Sequence, residues 1–175
     1  MVLRIRRLLA ALRSEVKTPL YHQYAALPWR MQDGALEVLL ITTLTTHRWI
    51  VPKGWPMDGK APSETAAQEA LEEAGIAGTI DAHPLGSYTY KKLRKSGEVV
   101  TCKVDVFPLE VKTQKRSWAE KATRECNWLP VQEAMTRVQE PGLRRLLLKF
   151  ANTHRDPARA AASASRPSRR AATRR

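Results

Sequence analysis

The sequence predicts an α/β fold, a single domain with helices layered against a sheet of short strands, and three observations carry that reading. Leu36–Thr43 is a short, nearly continuous apolar run, the pattern of a strand covered on both faces. In Val99–Leu109, Cys102, Val104 and Val106 alternate with Lys103 and Asp105, the period of a half-buried strand. Between and after these runs lie helical patterns, the clearest at Pro141–Phe150, where Leu143, Leu146, Leu147 and Phe150 share one face. A chain of 175 residues has room for one such core and hardly for two.

Taken in order, Met1–Val16 reads as a basic amphipathic helix, with Ile5, Leu8, Leu9, Leu12 and Val16 on one face and Arg4, Arg6, Arg7 and Arg13 around it. An Arg-rich, acid-poor start is shared by organellar transit peptides and by helices that lie on membranes; a helix on the domain surface is the blander reading. Gln23–Arg30 reads as a strand ending at Pro28, Asp33-Gly34 as a turn, and Arg48–Val51 as a short strand after a turn at Leu44–His47. A helix is expected from an N-cap at Ser63 to a stop at Gly75. Leu85–Tyr90 is a further strand, Lys91–Gly97 a basic hairpin turn, and Asn127–Leu129 a strand leading into helices that begin at Pro130 and Pro141. After Phe150 no Val, Ile, Leu or aromatic residue occurs, and residues 152–175 hold seven arginines and one aspartate. Such a tail cannot bury enough apolar surface to order itself. The domains are therefore a basic segment 1–19, a folded unit 20–150 and a disordered tail 151–175, which either is simply solvated or makes nonspecific contact with RNA.

A formal net charge of +13 predicts attraction to anions. Cys102 and Cys126 are too few for a disulfide framework or a cysteine zinc site and fit a reducing compartment, with the cytoplasm as the expected location. No apolar run approaches the roughly 20 residues of a membrane span.

Against this basic background, Val51–Ile80 holds five acids and two lysines. On the helix that ends at Gly75, Glu69, Glu72 and Glu73 are spaced i, i+3, i+4 and share a face, while Ala67, Ala70, Leu71 and Ala74 form a face suited to packing. Like charges at these spacings repel by roughly 0.2–0.5 kcal/mol per pair. A solvated surface is one explanation; a hard divalent cation such as Mg²⁺, which prefers oxygen ligands, is the other. Gly54 and Gly59 in the preceding loop, where the backbone turns or approaches something closely, favour the second.

This stretch resembles the Nudix box, G-x5-E-x7-R-E-U-x-E-E-x-G-U, with U a bulky aliphatic residue. Gly54, Glu69, Glu72, Glu73 and Gly75-Ile76 occupy box positions, whereas Lys60 stands for the first Glu, Gln68 for the Arg and Ala70 for a bulky U. The resemblance covers roughly residues 20–150 and implies an α/β/α sandwich around a mixed sheet. It also implies an enzyme, an acid anhydride hydrolase that cleaves a pyrophosphate linkage with Mg²⁺ (Mn²⁺ as the alternative). By resemblance Gly54, Glu69, Glu72 and Glu73 hold the metal, the general base is Glu69 or Glu72 with Glu120 as the alternative, and the missing Arg removes a support for a metal-binding carboxylate. Lys53, Arg48, Lys91, Lys92, Arg116 and Arg124 are candidate phosphate contacts, each with the blander reading of a surface charge or an ion pair. Trp49 and Trp55 are candidates for stacking on a base, although core or loop packing is the commoner use of such residues. Ile50-Val-Pro-Lys-Gly54, with Trp118, Arg124, Trp128 and Glu140–Leu143 downstream, is most similar to the diphosphoinositol polyphosphate and diadenosine polyphosphate phosphohydrolases. The expected partner is a polyphosphorylated small molecule; RNA 5′-end pyrophosphate hydrolysis and a catalytically weakened nucleotide- or RNA-binding module are the alternatives. Oligomeric state leaves no mark on the sequence.

Overall fold

The computed structural model of the chain describes residues 19–94 and 96–155. Strands β1 (Leu20–Gln32), β2 (Ala35–Thr42), β3 (Trp49–Ile50) and β4 (Lys53–Gly54) precede helix α1 (Pro62–Ala74). Then come β5 (Ile76–Ile80), β6 (Gly86–Leu93), β7 (Val99–Gln114) and β8 (Cys126–Pro130), followed by α2 (Val131–Arg137) and α3 (Pro141–Arg155). The sheet runs β3-β2-β1-β7-β5, with β4 paired to β1, β6 to β7 and β8 to β2. It is mixed: β1 and β7 are parallel over Leu20–Trp29 and Thr101–Glu110, and the other pairings are antiparallel.

Alternation along the central strands sorts the core into two layers. Ala25, Leu27, Val38, Leu40, Val104 and Val106 point to one face, where Leu143, Leu147 and Phe150 of α3 cover them. Ala26, Leu39, Ile41, Phe107 and Leu109 point to the other, where Ala66, Ala70 and Ala74 of α1 lie against them. Because both faces are covered, β2 reads as a nearly continuous apolar run, broken only at Glu37 before its terminal Thr42. The expected α/β/α sandwich with a mixed sheet is what forms. Small alanines let α1 sit close to the sheet, which brings its acidic edge down to the end of β4.

Several elements differ from the sequence reading. Helix α1 is capped at Ala61, with Pro62 in the first turn and the Glu64 carboxylate accepting the Ala61 N–H at 2.8 Å, so Ser63 lies inside the helix. Its buried face includes Ala66, and Leu71 is only half-buried. Strand β1 continues through Pro28: β1 pairs with β4 at Tyr24–Ala25 and with β2 from Trp29, and Pro28 falls in the gap between those partners. Strand β5 was not anticipated, since Ile76–Ile80 is short, mostly exposed and interrupted by a bulge at Ala77/Gly78. A Cβ at Gly78 would meet the Glu110 carbonyl oxygen at 2.0 Å, so this edge strand requires a glycine. Lys91 and Lys92 belong to β6 and not to a turn. Helix α3 continues to Arg155, five residues beyond the boundary placed at Phe150. The Met1–Val16 helix and the tail from residue 156 onward lie outside the described residues.

Gly75 closes α1 in the left-handed region (φ 68°), and its N–H donates to Leu71 O at 3.1 Å. A Cβ there would also come 2.5 Å from the Trp118 ring. Gly75→Ala is expected to lower unfolding free energy by at least about 1–2 kcal/mol, the cost of a left-handed L-residue alone. Urea denaturation measures it; an unchanged midpoint would show that the Trp118 loop moves away at no cost.

Candidate active site

The site forms where the end of β4 meets the acidic edge of α1. β4 hangs on β1 through Tyr24–Gly54 and Ala25–Lys53, which fixes the Lys53–Gly54 backbone directly over α1. Glu69 and Glu73, one turn apart, face it. Glu69 is pressed so closely on Gly54 that a Cβ there would lie 1.8 Å from its carboxylate oxygen. A side chain at the first box glycine would push the Glu69 carboxylate out of this position.

Glu73 is buried, 6% exposed, and both its oxygens are used. Oε2 accepts the Lys53 N–H at 2.9 Å, and Oε1 is paired with the Arg124 guanidinium. Arg124 also donates to the Glu120 carboxylate and, at 2.8 Å, to the Thr42 carbonyl, so it joins α1, the end of β2 and the loop after β7. The Trp118 indole N–H donates to the Glu73 carbonyl at 3.1 Å and secures the last turn of α1 from the same loop. Glu72 lies outside this cluster. It is exposed and accepts the Gln68 side-chain N–H at 2.5 Å, while Lys60 donates to Gln68 Oε1 at 3.2 Å. The two departures from the box therefore cooperate: a lysine holds the glutamine that holds Glu72.

Electrostatics follow from this packing. The Glu69 carboxyl is pushed up to about 7, first by burial and then by Glu73, Glu72 and Glu120. Burial also pushes Glu73 upward, against the opposing pull of Arg124 and the Lys53 N–H. Burial lowers the Lys53 ammonium, with Glu73 opposing.

A cleft of about 790 Å³ opens beside these groups. Glu69, Glu73, Gly54, Lys53, Arg48, Lys91, Lys92 and Arg124 line it, whereas Glu72, Glu120 and Arg116 do not. Arg116 is exposed, and its carbonyl accepts the Lys121 ammonium. Arg48 donates to Glu140 Oε1 at 3.0 Å, and Arg124 is bound to carboxylates; both are ion-paired cations and not free phosphate clamps. The free side of the cleft belongs to β6, where Lys91 donates to Thr101 at 2.7 Å and Lys92 lies 4.6 Å over the Trp55 ring. Trp49 packs against the core. Sequence reasoning missed Gln23, Tyr88, Tyr90 and Glu140 as cleft residues. The Tyr90 hydroxyl donates to Gln23 at 2.7 Å, whereas the Tyr88 hydroxyl and Glu140 Oε2 are buried without a partner. The signal was present as a buried glutamine in an apolar strand and two tyrosines at period two.

Among the described residues no three acidic, histidine or cysteine side chains are close enough to cage a metal ion. The donor set nevertheless suits Mg²⁺, which usually takes one or two carboxylates and completes its shell with water and substrate phosphate. Glu69 and Glu73 are the two carboxylates that line the cleft.

A family model described as NUDIX domain matches residues 21–150. The chain belongs to the NUDIX domain family. It is 32% identical over 127 residues to Nudix hydrolase 12, mitochondrial, of Arabidopsis thaliana, a match covering 71% of this chain and 63% of that protein. Against Nudix hydrolase 13, mitochondrial, of the same plant the identity is 36%, over 59% of this chain and 54% of that one. The chain thus spans less than two thirds of these two relatives. Among solved structures, C. elegans Ap4A hydrolase in a binary complex superposes with a TM-score of 0.59 at 22% identity, over 77% of this chain and 98% of that one. The NUDIX domain of Shewanella oneidensis NrtR, complexed with ADP ribose, superposes at 0.60 with 13% identity, over 85% and 97%. These two likenesses establish the fold.

Two tests of the cluster follow. Glu69 holds a proton in the folded state up to about pH 7 but releases it near 4.5 when unfolded, so the folded state binds more protons in that window. Stability must then fall as pH rises from 4.5 to 7. In chelator the thermal midpoint is expected to drop across that range, and Glu69→Gln is expected to make the drop shallower, the buried Glu73 contributing the remainder; a flat profile in chelator would show that Glu69 is not held protonated by its surroundings. Arg124→Ala leaves Glu73 buried without its counter-charge, held only by the Lys53 N–H, and is expected to cost about 3–5 kcal/mol in denaturant unfolding.

Proposed function

We propose that this NUDIX domain hydrolyses a pyrophosphate bond in a polyphosphorylated small molecule with a divalent cation, Mg²⁺ in the first place and Mn²⁺ in the second. The observation that carries the reading is the packing of Glu69 on Gly54 beside Glu73, two carboxylates of one helical edge facing a basic-walled cleft. Glu69, Glu73 and the Gly54 carbonyl are assigned to hold the cation, with Glu72 as the further candidate the box implies. When bound, the cation supplies the positive charge that lets phosphate oxygens sit among carboxylates.

The chain's own groups account for the rest. Lys53 and the β6 lysines receive the outer phosphate oxygens as point charges. Water attacks one phosphorus, the bridging P–O bond breaks, and the attacking water's proton passes to a carboxylate. We assign that proton to Glu69, which lines the cleft beside Gly54. Glu72 and Glu120 lie further from the cleft and are the alternatives. The substrates that best suit the basic wall are diphosphoinositol polyphosphates and dinucleoside polyphosphates, as the resemblance outside the box suggests. Both cysteines are free, which fits a reducing compartment such as the cytoplasm. No described helix is long and apolar enough to cross a membrane.

A second reading, a nucleotide-binding module without turnover, draws on one observation. Glu73 already has both oxygens engaged, one by Arg124. A panel of diadenosine polyphosphates, an inositol pyrophosphate, ADP-ribose and 5′-triphosphate RNA, run with Mg²⁺, Mn²⁺ or chelator, separates the two. Metal-dependent release of phosphate or nucleotide is expected, with kcat falling about 10²–10⁴-fold in Glu69→Gln and less in Glu72→Gln and Glu120→Gln. Loss confined to Glu120→Gln would transfer the base assignment to that residue. Binding without turnover on the whole panel would establish the module.

A further inference from the structure

The part of the sheet that α1 leaves uncovered ends in an apolar row on an otherwise polar face. The residues beneath α1 sit toward one end of the strands, Ala26 on β1 with Phe107 and Leu109 on β7. Toward the other end, the same face carries His22, Lys103 and Thr89 side by side on β1, β7 and β6. Thr101 and Lys91 form the next row, and the Lys91 ammonium donates to the Thr101 hydroxyl at 2.7 Å. Polar outward positions are what a water-facing sheet surface needs. The pattern fails at the last row. Leu93 of β6 stands opposite Val99 of β7, and Leu20 of β1 is paired with Thr101 immediately beside them. Leu93, Val99 and Leu20 are 69%, 55% and 52% exposed, three of the seven large apolar side chains exposed among the described residues. Scattered singly such residues need no explanation, but three neighbours at the end of one hairpin mark a contact surface.

The surroundings of this row are cationic. Lys91, Lys92, Arg94 and Lys103 stand on the hairpin against two carboxylates, Glu98 and Asp105. Both carboxylates are already in ion pairs, Glu98 with Arg94 at 3.6 Å and Asp105 with Lys103 at 3.5 Å. The stems of such lysines and arginines lie along apolar surface while their heads stay with water or anions. In sequence, the basic amphipathic pattern of Met1–Val16 leads through residues 17–19 into Leu20, so a second stretch of the same chemistry is joined to this row. The partner that fits must offer negative charge and an apolar medium together. RNA offers the charge, but its bases stack on aromatic rings, which Leu20, Leu93 and Val99 do not supply. A stable protein interface uses roughly 20–30 residues a side, far more than the end of one hairpin presents. A bilayer with anionic headgroups needs only a few aliphatic side chains at its acyl boundary and cations at headgroup level.

We propose that the end of the β6–β7 hairpin, with Leu20 beside it, is a docking surface for an anionic membrane. Leu20, Leu93 and Val99 enter the acyl boundary, and Arg94 and Lys103 meet the lipid phosphates. The domain is thereby held at a lipid surface by a few side chains, with no spanning segment. Strand β6 turns Tyr88 and Tyr90 to the cleft and its alternate positions to this surface. The proposal is independent of the hydrolase reading, because nothing in it requires turnover.

Co-sedimentation of the full chain with vesicles, in the absence of any substrate, tests it. Vesicles of equimolar phosphatidylcholine and phosphatidylserine are expected to bind the chain about tenfold or more tightly than phosphatidylcholine alone, and less tightly as salt rises. Leu20→Ser, Leu93→Ser and Val99→Ser together are expected to weaken binding to the mixed vesicles about tenfold or more, whereas Leu93→Ile with Val99→Ile keeps it. Arg94→Gln and Lys103→Gln are each expected to weaken it about fivefold. The three apolar positions are exposed at strand ends, so the thermal midpoint of the triple variant is expected to match the parent. Should the midpoint fall, Leu93→Ser alone, at the most exposed of the three, carries the test with about a threefold loss expected. No preference for the anionic vesicles, or binding that the triple variant retains in full, would overturn the proposal. So would an RNA oligonucleotide that binds the parent and loses as much affinity in the triple variant, because that result assigns the surface to nucleic acid.

Discussion

The buried Glu73 carboxylate is the constraint around which this molecule is arranged. A desolvated carboxylate costs several kcal/mol unless each oxygen finds a partner, and here a backbone N–H and a guanidinium provide them. Each partner comes from a different part of the chain, the Lys53 N–H from β4 and Arg124 from the segment before β8. Satisfying one side chain therefore docks α1 onto β4 and draws the loop after β7 over the helix end. Trp118 uses the same loop to hold the Glu73 carbonyl and to rest on Gly75, so the second box glycine is also tied to this carboxylate. The glycines and the glutamates of the stretch belong to one packing problem.

That unity explains which parts were legible in the sequence. Residue spacing on α1 is a local property, so the acidic edge and the Gly75 stop could be read directly, and the covered central strands announced themselves through nearly continuous apolar runs such as Leu36–Thr42. The pairings of Arg48 with Glu140 and of Arg124 with Glu73 could not be read, because these partners lie 92 and 51 residues away, whereas the Arg124–Glu120 pair is local. Arg48 carries no local sign of whether it will meet a phosphate or a carboxylate. Strand β5 was hidden for a different reason: its exposed, Gly-containing sequence draws its order from pairing with β7 and not from its own propensity. Ser63 misled because serine is a good cap, whereas Pro62 already fixed the first turn one residue earlier.

Where the chain departs from the Nudix box, local structure compensates in part. The Gln68 amide still donates to Glu72, and Lys60 braces it, so geometry is retained while a formal charge is displaced by one residue along a hydrogen-bonded chain. A neutral amide holds a carboxylate less firmly than a guanidinium. Glu72 is exposed, where water screens the difference. The guanidinium that matters acts instead on buried Glu73, where screening is weak, and it arrives from outside the box. Strong support is placed where the dielectric makes it effective.

The engagement of both Glu73 oxygens also bears on how a cation would be taken up. A carboxylate already paired with Arg124 has less negative charge to offer, while Glu69 has no comparable partner and retains its proton toward neutrality. Two incompletely available carboxylates and a carbonyl make a weak site by themselves. Substrate phosphate adds oxygen ligands and brings the charge that the β6 lysines attract. On the proposed reading, cation and diphosphate each supply what the other lacks, so their binding must be mutually reinforcing by linkage. On that reading the partial neutralisation of Glu73 by Arg124 weakens the site for the cation alone and makes cation uptake depend on the presence of substrate.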